Sequence, residues 1–385
     1  MAVSRRGALA ILIVGAIAVV GVVAFSTGLI GTPGSSPLAA APTPSPGGLG
    51  STEPSESTSS LPPGSLGLGS PAPSPSASPG YDASAPFPAG VLIADRGNGR
   101  IIAVSNAGQI LWQFPRTKAD LPSGQGFSAD DAFIDPSGKT IVANDEFHEV
   151  IDRIDIATGR IVWQYGRYNS PGPAIGQLNT PDDAYPLANG NIIVADIRNC
   201  RILEIAPDKT IVRTWGRTRV CIDNAGHTYG EPNGDTPLPD GGLLITEITG
   251  SRVVRLAADG SVVFDIHVPV AYPSDAQLDA NGNVVVSDFS THGQVVAVTP
   301  TGALLWRYAP VSGDGRLNHP SLATPLPNGL VSINDDFRDR VIVIDPMAGT
   351  IVWRYGVNNT HGTKTGYLNT PDGHQPFGAG IFTTP

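Results

Sequence analysis

PDDAYPLANGNIIVADIRNCRILEIAPDKTIVRTWG, residues 181–216, decides the fold. Its apolar runs IIVAD, RILEI and TIVRTW are short and β-branched, and the turn formers ANG, IRN and APDK separate them. That is strand chemistry at regular spacing, with no window long enough for a helical domain. It predicts four strands: A near 183–187, B near 191–196, C near 201–206 and D near 210–215. The closing phrase recurs as ILWQF (110–114), IVWQY (161–165), IVRTW (211–215), VVFDI (262–266), LLWRY (304–308) and IVWRY (351–355). Its tryptophan slot holds Trp112, Trp163, Arg213, Phe264, Trp306 and Trp353, spaced 51, 50, 51, 42 and 47 residues apart, while Trp215 falls two places on. A four-stranded sheet repeated at this period is a propeller blade. Side chains at i and i+2 share a face of a strand, so the aromatic pair of strand D reads as packing against the neighbouring blade.

Six B strands can be placed: VLIAD 91–95, TIVAND 140–145, NIIVAD 191–196, LLITE 243–247, NVVVSD 283–288 and LVSIND 330–335. The fold expected is all-β, a six-bladed β-propeller over 81–385. The segment PDGHQPFGAGIF (371–382) resembles YDASAPFPAGVL (81–92), so C-terminal residues are expected to complete the first blade. That removes the exposed sheet edges an open ring would leave. Seven blades is the alternative count, disfavoured because the chain stops at Pro385 before a further C and D strand.

Residues 8–30 carry no charge and are long enough to span a bilayer. Arg5 and Arg6 precede them, which keeps the N-terminus cytoplasmic and exports the rest. Residues 1–30 therefore read as a signal-anchor transmembrane helix, giving a single-pass protein of the cell membrane with the propeller outside the cytoplasm. Cleavage near PLAAAP (37–42) and secretion is the alternative. Residues 31–80 contain 12 Pro, 13 Ser and 9 Gly with only Glu53 and Glu56 charged, the composition of a disordered linker. The net charge of −10 argues against nucleic acid as a partner. One chain supplies the whole ring, so a monomer is expected.

Cys200 and Cys221 fall in a B–C turn and a D–A loop of the same blade. Those loop classes emerge on one face, so an exported chain can join the two in a disulfide. The long D–A loops mark that face as the functional one. Three of them end in L-N-x-P, at 178–181, 317–320 and 368–371, which reads as a shared turn. A carboxylate column follows directly: Asp131, Asp183, Asp235 and Asp275, with Asp130, Asp182 and Asp372 one position earlier. Strand A lines the channel of a propeller, so the column should ring its mouth. Converging carboxylates repel unless a cation or donors compensate, and an oxygen-rich ring suits a divalent cation such as calcium. A second acidic column, Asp95, Asp145, Asp196, Glu247, Asp288 and Asp335, ends strand B and reads as a structural Asp–turn–Arg arrangement. His319 and His374 replace small residues at repeat-like positions and are the candidate reactive groups.

DIATGRIVW (155–163) and DPMAGTIVW (345–353) resemble the D-x-x-x-G-x-x-x-W motif of PQQ-like, quinoprotein-type propeller repeats. ADRGNGRIIAV (94–104) looks like an NHL repeat, and HPSLATPLPNGLVSINDD (319–336) resembles bacterial arylsulfotransferase-type propellers. The first resemblance implies a quinone cofactor over calcium. Those enzymes have eight blades and a vicinal cysteine pair, whereas Cys200 and Cys221 lie 21 apart, so a PQQ-like scaffold without cofactor fits better. The arylsulfotransferase resemblance implies a sulfate-carrying histidine, His319 or His374. Similarity to NHL-like lyases implies a metal held by channel histidines. The function expected is a membrane-tethered module that binds a small ligand or a protein on its loop-rich face. A metal-dependent lyase or hydrolase, arylsulfotransferase-like or quinoprotein-like enzyme at the channel mouth is the alternative.

Overall fold

The computed structural model describes residues 85–224 and 227–382. The transmembrane helix and linker expected over 1–80 lie outside the described residues. Among the described residues, six four-stranded antiparallel sheets form. Blade 3 runs Pro181–Pro186, Ile192–Asp196, Arg201–Ile205 and Ile211–Gly216, close to the strands predicted from its sequence. Blade 2 spans Ala132–Gly166, blade 4 Pro232–His267, blade 5 Pro273–Tyr308 and blade 6 Ala323–Gly356, each in the order A to D. Inner strands touch in sequence order from blade 2 to blade 6, and the final strand touches strand B of blade 6 and the inner strand of blade 2, which closes the ring.

Blade 1 is assembled from both ends of the domain. Its B, C and D strands are Gly90–Asp95, Arg100–Ser105 and Ile110–Phe114, and its inner strand A is Pro371–Phe377. Gly90 pairs with Phe377 and Ile93 with His374. The closure expected from the sequence is the one formed. It matters energetically because Phe377 and Phe382 stack edge-on at 4.8 Å within the cluster that also holds Leu92, Ile101 and Phe114.

The core lies between blades. One cluster joins Val142 and Ile151 of blade 2 to Ala184, Val194 and Leu203 of blade 3. Each such side chain contributes roughly 1.5–3 kcal/mol on burial. The tryptophans join blades as the sequence suggested, with one difference. They are half-buried, and the ring two places on is the buried one, as at Phe114, Tyr165, Tyr308 and Tyr355. Three of the indoles instead reach the C–D turn of the following blade. Trp112 Nε1 donates to the Ile156 carbonyl at 2.9 Å, Trp163 to Pro207 at 2.8 Å and Trp353 to Asn106 at 3.0 Å. Arg213, which breaks the phrase, donates to the Ala258 carbonyl at 3.3 Å and so replaces the indole in kind.

Candidate site at the axial mouth

The second acidic column organises the loop face. In every blade its carboxylate accepts a backbone N–H from the loop that leads into strand A. The donors are Asn369 to Asp95, Asn179 to Asp196, Gly230 to Glu247 and Asn318 to Asp335, all at 2.7 Å, with Ser128 to Asp145 at 2.8 Å and Tyr272 to Asp288 at 3.0 Å. In blades 1, 3 and 6 an arginine five residues on completes the tie. Arg100, Arg201 and Arg340 donate from Nε to Asp95, Asp196 and Asp335 at 2.6–2.7 Å. Their outer nitrogens hold carbonyls of the long loop, at Thr363, Pro173 and Asp314. In blade 2 His148 takes this place, with Nδ1 2.7 Å from Asp145. The Asp–turn–Arg reading is correct in three blades, and the loop N–H that completes it repeats in six.

In four of the six blades the residue at the entry to strand A lies in the left-handed region: φ is 60° at Thr180, 60° at Glu231, 55° at His319 and 47° at Thr370. Strand A then begins on the axis. The equivalent pairs at its head, just ahead of the paired strand in blades 2 and 6 and just after the opening proline in the others, are Asp130-Asp131, Asp182-Asp183, Asn233-Gly234, Ser274-Asp275, Ser321-Leu322 and Asp372-Gly373. Asp131, Asp183 and Asp275 come together here as expected. Asp235 does not belong to that column. Pro232 pairs with Glu247 as Pro181 pairs with Asp196, so Gly234 holds the register of Asp183 and Asp235 lies one residue further on.

Three carboxyl pairs face each other within hydrogen-bonding reach: Asp131 with Asp182, Asp183 with Asp275, and Asp130 with Asp372. Burial first, then the neighbouring carboxylates, push Asp131, Asp182 and Asp183 far above the carboxylate range, and raise Asp372 to about 8 despite Arg96. Oxygens of Asp130, Asp131 and Asp182 lie within 4.8 Å of one another. A void of about 10 Å³ sits among Asp131, Asp182, Asp183, Asp275 and Asp372, with Asn233, Ser274 and Ser321 on its wall.

Three groups that the sequence reading missed reach the same centre from the B–C turns. Arg96 pairs with Asp130 and, at 2.5 Å, with Asp372. Glu146 lies 3.8 Å from Arg96 and is raised to about 9 by burial and by Asp130. Asp336 accepts from Ser321 Oγ at 2.8 Å and is raised by burial and by Asp372. Each follows directly on a strand-B acid. Because those acids are recognisable in the sequence, their successors could have been read as a further axial column.

Above this centre stand aromatic rings. Phe147 is 63% exposed and lies under the Arg96 guanidinium at 5.5 Å. Phe289 meets Tyr272 at 5.4 Å and Phe337 at 6.1 Å, and Phe337 is 46% exposed. His319 belongs to this group. It lies 4.2 Å from Phe337 and 4.9 Å from Phe289, its Nδ1 meets Asn318 Oδ1 at 2.9 Å, and burial lowers its pKa. His374 is fully buried in strand A of blade 1, with Nε2 2.6 Å from Ser332 Oγ and Nδ1 bonded to Asn334 Oδ1. Burial alone depresses its pKa to about 3, so it is neutral. Cys200 and Cys221 form the expected disulfide, with Cα atoms 5.1 Å apart.

The family described as outer membrane protein assembly factor BamB, built of PQQ-like repeats, matches residues 209–371. A protein of unknown function from Bacteroides caccae is 18% identical, covering 74% of this chain and 98% of its own, with a TM-score of 0.53. A structure of the nidogen/laminin complex aligns at 16% identity over 74% and 97%, with a TM-score of 0.50. A streptogramin B lyase aligns at 18% identity over 75% and 87%, with a TM-score of 0.49. No curated protein matches by sequence. The family match supports a PQQ-like propeller, and the two structures at TM-scores of 0.53 and 0.50 speak, at such identities, to the fold alone.

Proposed function

We propose that this PQQ-like propeller is a binding module whose loop-rich face takes a cationic ligand at the axial mouth. One observation carries the reading: buried and half-buried carboxyls converge on the Arg96 guanidinium beneath exposed aromatic rings. Once ionised, the acids supply a field that focuses cations, and aromatic faces bind them at about 0.5–2 kcal/mol each. The contact of Arg96 with Phe147, Asp130 and Asp372 is an internal example of the recognition. The ligand is a small organic cation or a cationic side chain of a protein. The uncharged segment 8–30 and the Pro/Ser/Gly-rich segment 31–80 support a module tethered to the membrane and presented outside the cytoplasm. Among the described residues neither His319 nor His374 has a carboxylate hydrogen-bond partner that would orient it as a base.

Calorimetric titration of the full-length protein at low salt tests the proposal, with benzyltrimethylammonium and benzoate as probes. Saturable binding of the cation alone is expected, weakened several-fold in Phe337→Ala and by added salt. Equal binding of both probes, or of neither, overturns it.

A further inference from the structure

We infer that the void at the start of strands A holds one hard divalent cation of the calcium class, ligated by Asp131, Asp182 and Asp183. Asp275 lies beside them, and this site stands whether or not the mouth above takes an organic cation.

Four independent features lead there. The first is proximity: Asp130, Asp131 and Asp182 place oxygens within 4.8 Å of one another, so one ion can touch a carboxylate from two adjacent blades. The second is an orphan. Asp183 is 3% exposed and lines the void, yet its Oδ2 has no hydrogen-bond partner. A buried polar oxygen left unpaired costs about 1–3 kcal/mol, and an ion in the void is the partner it lacks. The third is size. About 10 Å³ admits the centre of one water-sized sphere, which excludes an ammonium carrying a carbon body. The fourth is donor chemistry. The lining carries carboxylate, amide and hydroxyl groups from Asp131, Asp182, Asp183, Asn233, Ser274 and Ser321, with no imidazole or thiol. Hard oxygen donors select calcium, magnesium or manganese over zinc or copper.

Arg96 does not fill this role. It engages Asp130 and Asp372, whereas the Asp131–Asp182 and Asp183–Asp275 pairs have no arginine or lysine partner among the described residues. Asp235 is excluded from the ligand set by its shifted register. The competing account is that protons shared within the carboxyl pairs hold the centre together.

Full-length protein dialysed against EDTA and then against metal-free buffer decides between the two. Calcium is titrated in by calorimetry, with magnesium and manganese as comparison ions, and thermal unfolding is followed alongside. One equivalent of calcium is expected to bind. At hundredfold excess over Kd it should raise Tm by about 5 °C or more. Asp183→Asn keeps the side-chain shape, should leave the metal-free Tm equal or higher, and should weaken calcium binding at least tenfold. Asp235→Asn should leave binding unchanged. Three results overturn the proposal: no divalent ion binding at millimolar concentration, calcium binding without a Tm shift, or equal binding by Asp183→Asn.

Discussion

Asp152 shows what a buried carboxyl costs when no cation accompanies it. It sits on strand C of blade 2, 3% exposed, accepting one hydrogen bond from Gln164 at 2.8 Å. Burial raises its pKa to about 7, with Asp145 adding to the rise and Gln164 opposing it. A raised folded-state pKa means that the group's contribution is fully present below its unfolded pKa near 4 and is lost as pH climbs through 7. Asp152→Asn keeps the acceptor for Gln164 and removes the titration. The variant should match the parent in urea unfolding at pH 4 and exceed it by roughly 1–3 kcal/mol at pH 8. Equal stability at both pH values would show that Asp152 stays charged and solvated. Single residues also mark where sequence reading reached its limit. Asp131, Asp183 and Asp275 were legible as an axial group because each follows a D–A loop at the head of strand A, although only Asp183 follows the repeated L-N-x-P turn. Asp235 misled because blade 4 carries Gly234 at the register of Asp183 and its acid one residue later, and a one-residue shift alters which neighbours a side chain meets. At that register His374 finds Asn334 and Ser332 on the preceding blade, whereas the matching positions before Asp235 are Ala195 and Ile193.

At the scale of the element, the unit of the loop face is the acid–arginine latch rather than the loop. Arg340 and Asp335 are both fully buried, and Arg340 also holds the carbonyls of Asp314 and Arg316. Burial lifts Asp335 to about 6, and Arg340 opposes that rise. Arg340→Met leaves the carboxylate without its counter-ion and releases the loop at once. The expected loss is about 3–5 kcal/mol in denaturant unfolding. Hydrogen exchange should accelerate across 313–318 and leave the equivalent loops of blades 1 and 3 unchanged. A uniform change in exchange would mean that the latch acts on the whole blade. The strands themselves were readable from apolar alternation and turn residues, because those report local backbone preference. The latch was half readable: the arginine recurs at a fixed offset, but the backbone N–H that each acid accepts leaves no residue signature. Tyr165 and Tyr355 add a comparable hidden tie, accepting N–H from Gly176 at 3.2 Å and Gly366 at 2.9 Å.

For the whole molecule, the ring depends on a strand that arrives last. Pro371–Phe377 is the inner strand of blade 1 and also carries Asp372 into the axial centre, where Arg96 of the same blade meets it. Closing the ring and assembling the acidic mouth are therefore one event. Truncation after Thr370 deletes the ladder to Gly90–Asp95 and the buried rings of Phe377 and Phe382, worth roughly 1.5–3 kcal/mol each before any hydrogen bond is counted. It also leaves strand B of blade 1 as an unpaired edge, which invites pairing with another chain. The truncated protein should lose its single cooperative calorimetric transition and elute as oligomers. A peptide spanning 371–385 added in trans should restore both the monomer and the transition. If closure were incidental, the truncated chain would remain monomeric with an unchanged Tm, and the peptide would have no effect. The axial centre makes the stronger demand. Rescue of folding should restore calcium binding at the same peptide concentration, because Asp372 and Gly373 line one side of the cluster that Asp130 and Asp131 face.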